Sequence, residues 1–159
     1  MQLNQDHPSS NGIDGTIKIY DELYFNMNFQ IDSEFIPLAT ATPTEENMIR
    51  YGSSKFWNIK AEQKLGEPQT LIWAKETKTH RAASFVGGHY HWNWAYDDLR
   101  KYILNTITWV SRIDVPENGV DSTSFTVEML NENLNSPNHP DRVPMPTIIR
   151  PEIAPYTAV

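Results

Sequence analysis

The stretch that decides the fold is residues 69–112, which read QTLIWAKETKTHRAASFVGGHYHWNWAYDDLRKYILNTITWVSR. It opens with two short apolar runs, 69–74 and 81–86, and the residues between them are polar. Two such runs joined by a polar stretch are typical of a β-hairpin with an exposed tip. The sequence therefore predicts two adjacent antiparallel strands, followed by a sharp turn at the glycine pair Gly87 and Gly88.

The same stretch contains the clearest helical pattern in the chain. Side chains at three- and four-residue spacing fall on one side of a helix, and here they are Leu99, Tyr102, Ile103, Thr106, Ile107 and Val110. The other side is expected to face water and consists of Arg100, Lys101, Asn105, Thr108 and Arg112. We expect a helix over residues 99 to about 113, packed against the hairpin around Leu71 and Phe85. Pro116 should end it, because proline disfavours helical geometry in the preceding residue.

Two earlier segments read as strands. Residues 16–20 (TIKIY) alternate apolar and polar side chains, as a half-buried strand does, and then meet two acidic residues. Residues 35–40 (FIPLAT) read as a second strand. Pro37 cannot donate a ladder hydrogen bond, so it predicts either an edge position or a bulge.

The end of the chain has weaker patterns. Thr126 is the expected N-cap of a short helix that buries Leu130. Residues 55–59 (KFWNI) are expected to form a loop that packs aromatic rings on the core. The chain is predicted to form one structural unit over residues 1–134, with the proline-rich residues 135–159 as an extended tail.

Composition excludes several functional classes. The 159 residues carry 13 basic and 20 acidic side chains, a formal net charge of −7, and no cysteine. An acidic chain gains little from a phosphate backbone or an anionic membrane, so we expect neither nucleic acid nor membrane as a partner. Disulfides, thiolate zinc sites and thiol nucleophiles are excluded together. No signal peptide is recognised, so the chain as given reads as cytoplasmic, although an export signal upstream of it would change that expectation.

The first candidate for chemistry is the loop after the hairpin, residues 85–94 (FVGGHYHWNW). His89 and His91 project to the same side if the loop is extended. They could share a metal ion, or one could act as an acid or base while the other orients a ligand. Hydrogen-bonded loop histidines are the simpler alternative. Trp92 and Trp94 could offer apolar faces to sugar rings, or serve only as packing anchors.

The second candidate is the acidic pair Asp21 and Glu22. Adjacent residues of an extended chain face opposite sides, which argues against a glycosidase site built from these two carboxylates alone. One of them could still be an acid or base while the other caps or forms a salt bridge. A solvated strand end is the simpler alternative.

Taken in order, several stretches resemble the trehalose-utilisation (ThuA-like) family. The stretches are 6–8 (DHP), 20–27 (YDELYFNM), 38–43 (LATATP), 69–74 (QTLIWA), 86–94 (VGGHYHWNW) and 99–105 (LRKYILN). The resemblance implies an α/β, flavodoxin-like sandwich of the class I glutamine amidotransferase-like type, here without the cysteine, and a role in sugar catabolism. Family domains begin with strands and helices that are not present here. The chain therefore reads as the second half of such a domain, either truncated or completed by a partner.

The resemblance implies a site formed by Asp21, Glu22, Tyr24, His89 and His91. In the enzyme hypothesis, His89 and Glu22, with Asp21 as a further candidate, exchange protons with a sugar hydroxyl or carbonyl, and His91 orients the ligand or shares a metal with His89. Substrate contacts are assigned to Tyr24, His91, Trp92, Asn93 and Trp94. In two alternatives the same pocket binds a saccharide without turnover, or the chain is an inactive fragment. The sequence assigns no cofactor, and it predicts a saccharide ligand and either a homo-oligomer or a partner that supplies the missing half.

Overall fold

The computed structural model describes residues 1–32, 34–45 and 59–132. The strands are Gln2–Leu3 (β1), Phe35–Ala41 (β2), Gln69–Glu76 (β3) and Arg81–Phe85 (β4). The α-helices are Ile59–Glu62 (α1), Asp97–Val110 (α2) and Val127–Asn131 (α3), and two 3₁₀ helices span Pro8–Ser10 and His91–Ala95. The predicted aromatic loop, apart from its last residue, and the predicted tail 135–159 lie outside the described residues.

The fold is a small mixed α/β domain with one antiparallel sheet. The strand order is β1-β2-β3-β4, and each neighbouring pair is antiparallel. Consecutive strands lie side by side, so within the described ranges the sheet contains no parallel pair of the kind that a crossover helix connects. The prediction of an α/β fold is confirmed at this level, and a flavodoxin-like sandwich is not. None of the helices in the part of the chain described is long and apolar enough to cross a bilayer.

The predicted hairpin is confirmed as β3 and β4. Its tip is closed by a hydrogen bond from the Thr77 N–H to the His80 carbonyl at 2.9 Å. The register of β2 against β3 shifts on either side of Ala39, next to Pro37, so the bulge expected from the proline is confirmed.

The predicted strand over residues 16–20 is wrong beyond its first residue. Thr16 forms one isolated bridge with Gln2, and the Ile17 N–H donates to the Met1 carbonyl at 2.9 Å. Residues 18–20 form no strand, so the chain leaves the sheet after Ile17. This departure carries Tyr20 and its successors towards the loop that follows β4.

Helix α2 covers one face of the sheet, as its periodicity predicts. Leu99 and Tyr102 are fully buried in the main core together with Ile72, and the Tyr102 hydroxyl donates to the Leu38 carbonyl at 3.0 Å. Phe85 packs against this core, whereas Leu71 is buried outside it, because adjacent strand residues face opposite sides of the sheet.

The buried stripe of α2 is rotated from the predicted one. Ile107 is 56% exposed, whereas Trp109, Asn105 and Arg100 are buried. The polar pair is buried because its groups are hydrogen-bonded, with the Asn105 amide donating to the Ser9 and Asn11 carbonyls at 3.0 Å.

Helix α2 also ends earlier than the prediction, which placed its end at about residue 113, before Pro116. Its last residue is Val110, and Arg112 adopts a left-handed conformation (φ 61°) while its N–H donates to the Trp109 carbonyl. A left-handed residue just after a helix directs the chain away from the axis, so the end is set before Pro116. The shorter helix α3 is confirmed, with the Thr126 hydroxyl accepting from the Met129 N–H at 3.2 Å.

Two Asn-Gly turns fasten the segment after α2 to the segment after the first 3₁₀ helix. Gly12 (φ +71°) lies against the Asn118 carbonyl, and Gly119 (φ +73°) lies against the Asn11 carbonyl. An added Cβ would come within 2.1 Å of the Asn118 oxygen in the first case and 2.5 Å of the Asn11 oxygen in the second. Each glycine therefore leaves room for the carbonyl of the other turn, and both are needed for the close approach.

Candidate functional site

The loop after β4 is fastened to the segment after Ile17 by one carboxylate. Asp21 accepts hydrogen bonds from the backbone N–H groups of Gly88, His89 and Tyr90 at 2.6, 3.1 and 3.2 Å. Gly88 adopts φ +92°, which a residue with a side chain rarely does and which lets the loop turn its N–H groups inward. In the structure, Asp21 therefore holds the loop of residues 88–90 through its backbone N–H groups. Its catalytic role stays a prediction.

This fastening brings Glu22 and His89 together. The Glu22 Oε2 and His89 Nδ1 atoms are 3.9 Å apart, within the range of an ion pair when the imidazole is protonated and beyond a direct hydrogen bond. Their side chains are 44% and 56% exposed, so the pair lies on an open surface. The sequence hypothesis paired these two residues, and the structure places them side by side.

An aromatic stack flanks the pair. The Tyr20 and Tyr90 rings lie nearly parallel with centroids 5.9 Å apart, and the Tyr90 and Trp92 rings follow at 4.3 Å. The His89 ring meets Tyr90 edge-on at 4.7 Å. Tyr20 and Tyr90 were not among the predicted site residues, although each is adjacent in sequence to one that was. An open ring face beside polar groups is the arrangement that binds the C–H face of a sugar.

His91 is hydrogen-bonded to α3. Its Nε2 donates to the Leu130 carbonyl at 2.8 Å, which joins the second 3₁₀ helix to α3. Within the described ranges no group of three or more histidine, aspartate or glutamate side chains could hold a metal ion. The simpler alternative for His91, a hydrogen-bonded loop histidine, is what the structure shows.

Asn93 and Trp94 lie behind the stack. The buried Asn93 amide donates to the backbone carbonyl of Tyr20 at 2.9 Å and so fixes the backbone there, while its Oδ1 finds no partner within the described ranges. Trp94 packs with Phe125 and Leu130. A groove of about 320 Å³ opens there, lined by His91, Trp94, Phe125, Met129, Leu130 and Glu132.

Tyr24 is separate from these contacts. Its side chain is 75% exposed, and it makes no hydrogen bond or ring contact with any residue in the part of the chain described. Its assignment to a substrate contact therefore stays a prediction without a neighbour to support it.

A buried polar cluster surrounds His7, a residue of the 6–8 (DHP) stretch that contributes to the family resemblance. The His7 Nδ1 accepts from the Ser9 N–H at 3.2 Å, so the neutral ring carries its proton on Nε2. Nε2 is buried and has no hydrogen-bond partner in the described ranges, and the ring meets Trp109 edge-on at 4.6 Å. Burial lowers the pKa of His7, and nearby Arg81 lowers it further against an opposing effect of Glu76. This histidine is therefore a neutral packing residue and not an exposed acid or base.

Arg100 fastens the second 3₁₀ helix to the segment before α3. Its guanidinium donates to the Trp94 carbonyl at 2.6 Å and to the Thr123 carbonyl at 3.1 Å, pairs with Asp97, and lies 4.8 Å from the centre of the Phe125 ring. A hydrogen bond from the Ser124 hydroxyl, together with Arg100, lowers the pKa of Asp97. A buried, hydrogen-bonded cation thus joins the second 3₁₀ helix to the segment before α3.

Comparisons with protein-family models, with curated proteins and with solved structures found no match to this chain.

Proposed function

We propose that the surface around Glu22, His89 and the aromatic stack binds a saccharide, and that the carboxylate and imidazole move a proton at a hydroxyl or carbonyl of that sugar. The observation that carries the proposal is the 3.9 Å approach of Glu22 to His89. The fold brings these two residues together from distant parts of the chain, since Asp21, the neighbour of Glu22, is 68 residues from His89. Glutamate beside imidazole is a common arrangement for acid–base chemistry.

We assign different roles to the two side chains: His89 accepts the proton, and Glu22 stabilises the imidazolium. Glu22 lies on the Nδ1 side of His89. A hydrogen bond formed there when a ligand binds would favour the tautomer with the proton on Nδ1 and would leave Nε2 as the proton acceptor. Asp21 fixes the backbone of His89 and thereby limits the orientations of the ring. A sugar hydroxyl against Nε2 would give up its proton there, while the imidazolium that forms would be stabilised by Glu22.

The aromatic stack provides the apolar surface of the proposed saccharide site. Tyr20 is 45% exposed although one of its faces lies towards Tyr90, so much of the ring remains open to solvent. A pyranose C–H face can pack on such a ring while its hydroxyls reach Glu22 two residues further along.

A family origin is part of the proposal. The order of the six stretches supports a ThuA-like chain that acts in sugar catabolism. In that case the antiparallel sheet is one part of a larger flavodoxin-like sandwich, and a partner or further chain supplies the rest.

Binding without turnover is the second candidate. The exposure of both Glu22 and His89 favours it, because a catalytic pair usually works where water is excluded.

The experiment is a titration with trehalose, glucose and methyl glucosides, followed by NMR chemical shifts and calorimetry. Glu22→Gln and His89→Ala are each expected to weaken binding about tenfold. Glu67→Gln removes another exposed carboxylate, one paired with Lys64, and should leave affinity unchanged. Binding that is unaffected by both site variants would refute the proposal. Sugar that is bound but never converted would select the second candidate.

A further inference from the structure

Strand β4 forms the outer edge of the sheet. It is the last strand in the order β1-β2-β3-β4, and within the described ranges only β3 pairs with it. An unpaired edge strand presents backbone donors and acceptors that another strand can use.

The hydrogen-bonding pattern identifies which groups of β4 point outward. The Val86 N–H donates to the Leu71 carbonyl and the Thr77 N–H to the His80 carbonyl, so alternate facing pairs of the hairpin are the bonded ones. Ala82 and Ser84 belong to this bonded set through Lys75 and Trp73. The N–H and C=O groups of Arg81, Ala83 and Phe85 therefore point away from β3. The Glu76 N–H group is consistent with this pattern. Glu76 faces Arg81, and its N–H donates to the Glu34 carbonyl, on the side of β3 away from β4.

The edge has few of the features that usually protect one, and its one charged side chain, Arg81, is paired with Glu76 of the same hairpin. The strand reads RAASF, with no proline, lysine or bulge, and the exposed side chains of Ala82 and Ser84 are small. Helix α2 covers one face of the sheet, and the backbone groups that point away from β3 lie along its edge.

We propose that a second copy of this chain pairs with β4 in antiparallel orientation, about a two-fold axis through Ala83. In this register Ala83 faces Ala83 of the second copy, and Arg81 faces Phe85 of the second copy. The outward groups of the two strands then meet as bonded pairs, with about six backbone hydrogen bonds. The two four-stranded sheets become one continuous sheet.

The sequence of β4 suits a second copy better than an unrelated strand. The two-fold axis places the cation of each strand opposite the aromatic ring of the other, so no like charges face each other. At the axis both side chains are those of alanine, which lets the backbones approach. The same patch serves on both copies, as closed dimers require.

The pairing also bears on the site. Strand β4 is followed, after Val86, by Gly87 and Gly88, and in the antiparallel register the hairpin tip of the second copy runs beside this turn. The dimer interface would therefore lie next to the loop that carries His89. The interface does not depend on whether the site binds a sugar.

The first test is sedimentation velocity of the full chain over a concentration series. We expect a reversible monomer–dimer equilibrium. Ala83→Pro removes an N–H that points away from β3, so the internal hairpin keeps its bonds while the interface loses two. The dimer Kd should rise at least about tenfold, with an unchanged far-UV circular dichroism spectrum.

A second pair of variants keeps the proposal testable if the proline variant fails to fold. Ala82 faces Ser84 of the second copy, and both side chains are exposed. The double variant A82K/S84K places like charges opposite each other and should dissociate the dimer. Its matched control A82K/S84E places opposite charges there and should retain it. A wild-type chain that stays monomeric up to about 0.5 mM, or equal Kd values for the two double variants, would overturn the proposal.

Discussion

Gly12 offers a sharp test of how the two Asn-Gly turns hold the fold together. Its φ of +71° lies in the left-handed region, and an added Cβ would come 2.1 Å from the Asn118 carbonyl oxygen and 2.4 Å from its carbon. Gly66 has nearly the same backbone conformation, with φ +78°, but its Cβ position is open, with nothing within 4 Å. The two glycines thus share a conformational cost and differ only in clearance.

The magnitudes follow from this difference. An L residue in the left-handed region costs about 1–2 kcal/mol, part of which is recovered because alanine restricts the unfolded chain. Gly66→Ala should therefore lose about 1 kcal/mol of the free energy of unfolding. Gly12→Ala must in addition displace backbone atoms of Asn118, and overpacking of this kind costs about 1–3 kcal/mol. We expect a total loss of about 3 kcal/mol for Gly12→Ala.

The assay is urea and thermal unfolding followed by circular dichroism. For a chain of this size each kcal/mol shifts Tm by about 2–4 °C, so Gly12→Ala should lower Tm by about 6–12 °C and Gly66→Ala by about 2–4 °C. Gly119→Ala tests the reciprocal contact and should resemble Gly12→Ala, since its Cβ would lie 2.5 Å from the Asn11 oxygen. Equal losses for Gly12→Ala and Gly66→Ala would show that the two turns do not touch.

Two further predictions concern buried polar groups. The folded-state pKa of His7 lies below its ordinary value of about 6.5, so the unfolded chain binds the proton more readily; stability is full above that pH and falls as pH drops towards the folded-state pKa. His7→Gln should flatten the dependence of urea midpoints on pH between about 7 and 5, and an unchanged slope would contradict the assignment. Arg100→Met should cost about 3 kcal/mol, because it leaves the Trp94 and Thr123 carbonyls without their donor. The matched control Lys101→Met removes an exposed bond to the Asn118 carbonyl and should cost under about 1 kcal/mol in the same melts.

The sequence predicted those elements whose signal lies within about fifteen residues. The hairpin of β3 and β4, the bulge at Pro37, helix α2 and the Thr126 cap all follow from local periodicity and local chemistry. The same reasoning misjudged which residues of α2 are buried. Burial of Arg100 and Asn105 depends on acceptors that distant segments supply, and hydropathy alone does not contain that information.

The candidate site divides in the same way. The sequence singled out Asp21, Glu22 and His89 by residue type. It predicted the proximity of Glu22 and His89 because each was expected to follow a strand and because both lie in stretches of the family resemblance. The tertiary structure decided that Asp21 bonds the backbone of the 88–90 loop, that Glu22 then reaches His89, and that His91 bonds the Leu130 carbonyl.

Local propensity therefore determined strands β2, β3 and β4, the main helix and the types of reactive side chain, because each depends on near neighbours in the chain. Tertiary structure alone decided the pairing of the two Asn-Gly turns, the stacking of Tyr20 on Tyr90, and the orientation of the histidines. Those features depend on contacts between residues that are distant in the chain, from 39 residues apart for His91 and Leu130 to more than a hundred for Gly12 and Asn118. Their energies are set only when the intervening sheet and helix bring the segments together.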